Sequence, residues 1–145
     1  GGSGCSCADR HHAGELRRTR LMLNADCPSL SRPKGLVFHA RPEAAAYVEA
    51  LAEQMDTPIP FHDRFHSHSD HYPFFLEGVP TAGMSGGRFA TKGGGYGHTA
   101  ADTVDKIPLT DLREGAAFAA RILLRAANDK HWPLKHKRNK GRAPK

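Results

Sequence analysis

At 145 residues, with 39% hydrophobic and 25% charged content, the chain is long enough to bury one core and too short for two ordinary domains. No stretch approaches the roughly 20 apolar residues that span a bilayer, and Gly1-Gly2-Ser3-Gly4 lacks the basic and apolar regions of a signal peptide, so a soluble protein of unknown compartment is expected. The net charge of +6 is concentrated at one end: seven Lys/Arg and no acids lie from Lys130 to Lys145, leaving fourteen basic against fifteen acidic residues elsewhere.

The basic segment 130–145 is therefore expected to be a disordered tail beyond a near-neutral domain, 1–129, and nucleic acid is not the expected partner. Cys5, Cys7 and Cys27 are odd in number, and Cys5-Ser6-Cys7 is too tight for an ordinary bridge, so free thiols are expected. A cysteine zinc site lacks both the spacing and the ligand count.

In chain order, Cys7 to Thr19 has weak amphipathic helix character. Arg20 to Asp26 is an apolar run closed by Cys27-Pro28-Ser29, as a buried strand closes. Gly35 to His39 predicts a second strand. Pro42 opens a helix whose Tyr47, Val48, Leu51 and Met55 share one face, and Thr57-Pro58 and Pro60 end it. Phe61 to Asp70 reads as an exposed strand or loop. A short helix follows, capped by Ser69 or Asp70, with Phe74, Phe75 and Leu76 on its buried side.

Val79 to Ala82 predicts a brief strand that Pro80 would confine to an edge or an end. Ser85 to Gly97, with six glycines, predicts a long loop. Thr110 or Asp111 is expected to cap the last helix, whose stripe is Leu112, Ala116, Ala119, Leu123 and Ala126. Strands alternating with helices argue an α/β fold with a mostly parallel or mixed sheet flanked by helices.

Three segments carry candidate chemistry. Asp26 closes an apolar strand, where open α/β sheets gather ligands, although an aspartate before Pro28 also suits a turn. Phe61 to His71 holds four histidines and two aspartates, all ordinary zinc donors. No pair sits on a helix at i, i+4, so a solvated surface is the simpler reading, with Asp70-His71 able to orient a neighbouring group. His98 follows the glycine-rich loop, which lets backbone approach a ligand closely, and Asp102 is placed to hold that imidazole or to fix the next turn.

Together these segments resemble the co-catalytic zinc aminopeptidases and carboxypeptidases, family twenty-eight of the metallopeptidases. Leu23-Asn24-Ala25-Asp26 looks like the strand that delivers an aspartate ligand. Ser69-Asp70-His71-Tyr72-Pro73-Phe74 with Gly78-Val79-Pro80 is similar to the SDHxPF…GxP signature, and His98-Thr99-Ala100-Ala101-Asp102-Thr103 to HTxxDT. Asn128-Asp129 with Trp132-Pro133 resembles a tail found in some members.

The resemblance implies two zincs, a peptide substrate, Asp26 and His98 as ligands on different metals, and Asp70, His71 and Asp102 behind the ligands. Phe74 and the loop Ser85 to Gly97 would shape the substrate pocket. Some members place an oxyanion-stabilising tyrosine directly before the last histidine; here Gly97 stands there and Tyr96 one position further back. The family's first histidine, bridging aspartate and Glu-Glu pair have no counterpart in these residues, and Gly2-Ser3 resembles the Gly-Ser found shortly after that pair. The chain therefore reads as the C-terminal part of such a domain and is expected to be inactive by itself, lacking the general base. Two further readings use the same frame: a glutaminyl-cyclase-like acyltransferase with one zinc, and a non-catalytic interaction domain.

Overall fold

The computed structural model describes residues 13–26, 33–85, 96 and 99–137. Along them run α1 (Ala13–Leu16), β1 (Met22–Asn24), β2 (Gly35–Phe38), α2 (Ala44–Met55), β3 (Phe61–Asp63), α3 (His71–Leu76), β4 (Thr81–Ser85), a 3-10 turn (Val104–Lys106) and α4 (Leu109–Asn128). The strands form one sheet in the order β1-β4-β2-β3. β1 runs parallel to β4 and β3 parallel to β2, while β2 and β4 are antiparallel, so the sheet is mixed and the fold is α/β.

Because successive strand residues face opposite ways, each strand serves two layers. Leu36 and Phe38 of β2, and Ala82 and Met84 of β4, turn to one side. There they join Ala44, Val48, Leu51 and Met55 of α2 and Phe118 and Ile122 of α4 in the main core. α2 ends where Asp56 adopts a left-handed conformation (φ 46°), and its N–H bonds back to Ala52 and Glu53. The intervening residues Val37 and His39, and Thr81 and Gly83, turn to the other side. This second face is covered by α3, which packs against β4 and β1 and buries His71 and Phe75.

Several local expectations need correction. The strand near Pro80 begins after it, at Thr81, and lies centrally between β1 and β2, so of the two expected places Pro80 takes the strand's end and not the sheet's edge. Pro80 has no N–H to offer the ladder, but its carbonyl still accepts from Met22 N–H (2.9 Å), so it sits at the strand's start without breaking the pairing. The last helix starts at Leu109 with Pro108, extended, in the cap position and no side-chain cap bond. Its buried stripe is Gly115, Phe118, Ile122 and Ala126, while Leu112 and Leu123 are exposed. The face is rotated by about 100°, one residue, because the bulkier Phe118 and Ile122 reach the core.

Packing also continues past residue 129. Leu134 is buried, Trp132 meets Tyr47 edge-on at 5.1 Å, and Lys137 N–H donates to the Gly78 carbonyl (2.9 Å), so residues 132–137 belong to the folded body despite their basic composition. Arg20 reinforces this end by donating to the carbonyls of Ala126 and Asp129. Of the helix expected over Cys7 to Thr19, α1 is the described part. Cys5, Cys7, Cys27 and most of the loop after Ser85 lie outside the described residues. Among the described residues no helix is long and apolar enough to cross a membrane.

Candidate metal centre

Asp26 stands two residues beyond β1, exposed at the strand's carboxyl end. Its Oδ2 accepts from Asn24 Nδ2 (3.0 Å) and from the Ser69 hydroxyl, and Asn24 Nδ2 also reaches Ser69 Oγ (2.5 Å). Asn24 comes from the last position of β1 and Ser69 from the loop leading into α3, so two elements fix one oxygen of the carboxylate. That is how outer partners commonly orient a metal-binding carboxylate.

Beside it, three imidazoles converge from three elements. His39 follows β2, with its ring on the face of Thr81 and Gly83. His71 opens α3, and His66 lies in the loop between β3 and α3. The rings of His39 and His71 are stacked, 3.6 Å apart and 5° from parallel, and His66 stands perpendicular to both, at 5.4 and 4.6 Å. One nitrogen from each ring lies within 4.8 Å of the other two.

The nitrogens have unequal company. His71 Nε2–H donates to the His66 carbonyl (2.8 Å), and His39 Nδ1 pairs with Thr81 Oγ1 (3.1 Å). His39 Nε2 and His71 Nδ1 are buried and have no hydrogen-bond partner among the described residues. Burial pushes the His39 imidazole down to about 4, aided by His71 and His66, and burial likewise lowers His71 against the opposing pull of the His66 carbonyl. Both rings are therefore neutral at pH 7 and keep a lone pair, as a metal ligand must. A cavity of about 220 Å³, lined by Asn24, Asp26, His39, Arg64, His66 and Gly83 among others, joins the carboxylate to this cluster.

The remaining sequence candidates are placed as follows. His98 and Gly97 lie outside the described residues. Tyr96 is exposed, with Lys106 Nζ 5.9 Å from its ring centre, and its carbonyl accepts from Thr99. Asp102 is exposed in the following turn, its N–H bonded to the Thr99 carbonyl. Asp70 holds the cap position of α3 without a side-chain cap bond. Phe74 is half-buried beside the buried Phe75 and is not among the residues lining the cavity.

His39 was not singled out from the sequence, where it served only to end a strand. The rule that drew attention to Asp26, a polar residue closing an apolar strand, applies to it equally.

The three polar clusters, Asn24-Asp26, Ser69-Asp70-His71 and Thr99-Asp102, fall within a continuous match: a model of Peptidase family M28 covers residues 2–123. The chain belongs to that family. Comparison with curated proteins gave no match, and neither did comparison with solved structures. Membership makes the chain a metallopeptidase-type hydrolase by descent, of a family that is typically zinc-dependent. The residues at this site suit such an ion: a carboxylate held on one oxygen, and neutral imidazoles with unpartnered nitrogens.

Proposed function

We propose that this chain carries part of the active centre of a two-zinc exopeptidase of aminopeptidase type, with Asp26 and His98 each a ligand to a different zinc. The observation that carries the reading is the Asn24-Ser69-Asp26 cluster, in which the carboxylate projects from the end of β1 into the polar cavity with its orientation fixed. Zinc, when bound, supplies Lewis-acid activation of water and of the scissile carbonyl.

The chain's own residues have distinct tasks. Asn24 and Ser69 engage Oδ2 of Asp26 and so present the rest of the carboxylate to the ion. Arg64, lining the same cavity, supplies a guanidinium able to bind a peptide carboxylate or carbonyl that enters it. Asp70 and His71 follow Ser69 at the start of α3, and Asp102 and Tyr96 flank the position of His98 in sequence.

Neither a catalytic glutamate nor the family's other ligands have counterparts among these 145 residues, so the proposal includes that this chain alone does not turn over. The test is hydrolysis of a set of amino-acid anilides by the purified chain in the presence of zinc. The expected result is no turnover. Turnover that disappears in both Asp26→Ala and His98→Ala would show a complete centre and overturn the division of ligands. Zinc-dependent 13C shifts of the Asp26 carboxylate and 15N shifts of the His98 imidazole are expected in excess zinc, and their absence would overturn the assignment of these residues as ligands.

A further inference from the structure

We propose that His39, His66 and His71 form a binding site for a single late first-row transition ion, Zn2+, Ni2+ or Cu2+, whose ligand set needs neither Asp26 nor His98. Four observations lead there. His66 and His71 come from one histidine-rich run, but His39 reaches them from the end of β2, so the convergence of the three is a tertiary arrangement. The donor nitrogens lie within 4.8 Å of one another, against about 3.4 Å between ligands of a tetrahedral zinc with Zn–N near 2.05 Å, a closure that side-chain rotation can supply.

One nitrogen of each of the two buried rings is already engaged. His71 Nε2 donates to a backbone carbonyl and His39 Nδ1 pairs with a hydroxyl, the outer contacts that fix tautomer and ring angle in ligating histidines. The other nitrogens, His39 Nε2 and His71 Nδ1, have no hydrogen-bond partner among the described residues, in side chains 1% and 0% exposed. A buried lone pair without a donor is unfavourable in the metal-free protein, and an ion removes that penalty at both positions. Three imidazole donors select late transition ions over magnesium or calcium, which prefer oxygen.

The stack itself sets a condition. Imidazole lone pairs lie in the ring plane, so two rings held parallel at 3.6 Å direct them side by side rather than toward one point. Binding must therefore tilt one ring out of the stack. His66, exposed and perpendicular to both, provides the third arm, and the cavity that His39 and His66 share with Asp26 gives the ion a route and leaves a coordination position for water.

The experiment is a Co2+ titration of the full 145-residue chain followed by visible absorption and Zn2+ competition, with imidazole 15N shifts recorded on the Zn2+-loaded protein. One tight ion per chain is expected, with 15N shifts at His39 Nε2, His71 Nδ1 and one His66 nitrogen, and loss of the ring-stacking contacts between His39 and His71. His66→Ala, at an exposed position that folding does not depend on, should weaken binding by about tenfold or more, whereas His68→Ala, Asp26→Ala and His98→Ala leave this ion's affinity unchanged. Wild-type affinity in His66→Ala overturns the site. Loss of the ion in Asp26→Ala or His98→Ala also overturns it, because the ion then belongs to the peptidase centre. Failure of the peptidase reading alone would appear in the anilide and zinc measurements and leave these shifts in place.

Discussion

The two faces of the sheet are built from the same strands and follow opposite rules. On one, Leu36, Phe38, Ala82 and Met84 meet two helices through apolar contact alone. On the other, Thr81, His39 and His71 are equally inaccessible to water yet polar, with two nitrogens unpartnered among the described residues. Burial on the first face stabilises the fold. Burial on the second costs free energy, and such a cost is retained where a group has chemistry to perform.

The largest expected effect belongs to the apolar face. Phe38→Ala removes a side chain 1% exposed from the centre of the main core and should lower the free energy of unfolding by about 3–5 kcal/mol, read from urea melts. A loss below about 1 kcal/mol would mean that this face is not the structural one.

The next effect separates the faces by pH. His39 is held down to about 4 in the folded chain, against 6.5 when unfolded, so below pH 6.5 the unfolded state takes up a proton that the folded state refuses. Its contribution to stability is intact above pH 6.5, is lost progressively as pH falls toward 4, and changes no further below that. The span is about 3 kcal/mol by linkage. Urea melts of the metal-free chain at pH 7 and pH 4.5, with His39→Phe as the variant that cannot titrate there, should show a shallower pH dependence in the variant. Identical slopes would assign the acid lability to other groups.

The smallest effect is the sharpest comparison. A methyl on Gly83 would meet the His39 Cε1 and Nε2 atoms and the Val37 carbonyl at 3.9 to 4.0 Å, ordinary contact distances, so Gly83→Ala should alter stability by no more than about 0.5 kcal/mol. A marked loss on thermal melting would mean that the polar face is packed as tightly as the apolar one.

How far the sequence foretold this depends on which signal each residue carries. α2 was legible because Val48, Leu51 and Met55 recur at helical spacing, and β2 because Gly35 to Phe38 is apolar between turn-formers. The stripe of α4 was misread by one position: alanines on several faces make the period ambiguous, and only packing shows that Phe118 and Ile122 take the inside. For β4, Pro80 marks the strand's start, one of the two places a proline allows, but a missing N–H cannot tell a strand end from an edge, and only pairing puts the strand in the middle of the sheet.

For the site, Asp26 and the Ser69-Asp70-His71 motif were visible as types in order. Spacing rules that look for ligand pairs along one helix could not find His39 with His66 and His71, because that trio exists only once a strand end, a loop and a helix start are brought together.

The neighbour relation of β1 has a kinetic corollary. Within the described sheet β1 pairs with β4 alone, Met22 opposite Thr81, so the strand that carries Asn24 must wait for a partner synthesised about sixty residues later. Pairings that close such long loops raise contact order and form late. The β2-β3 and β2-β4 pairings span shorter loops and can precede it. On that ordering the carboxylate meets Ser69 only once β1 has docked beside β4.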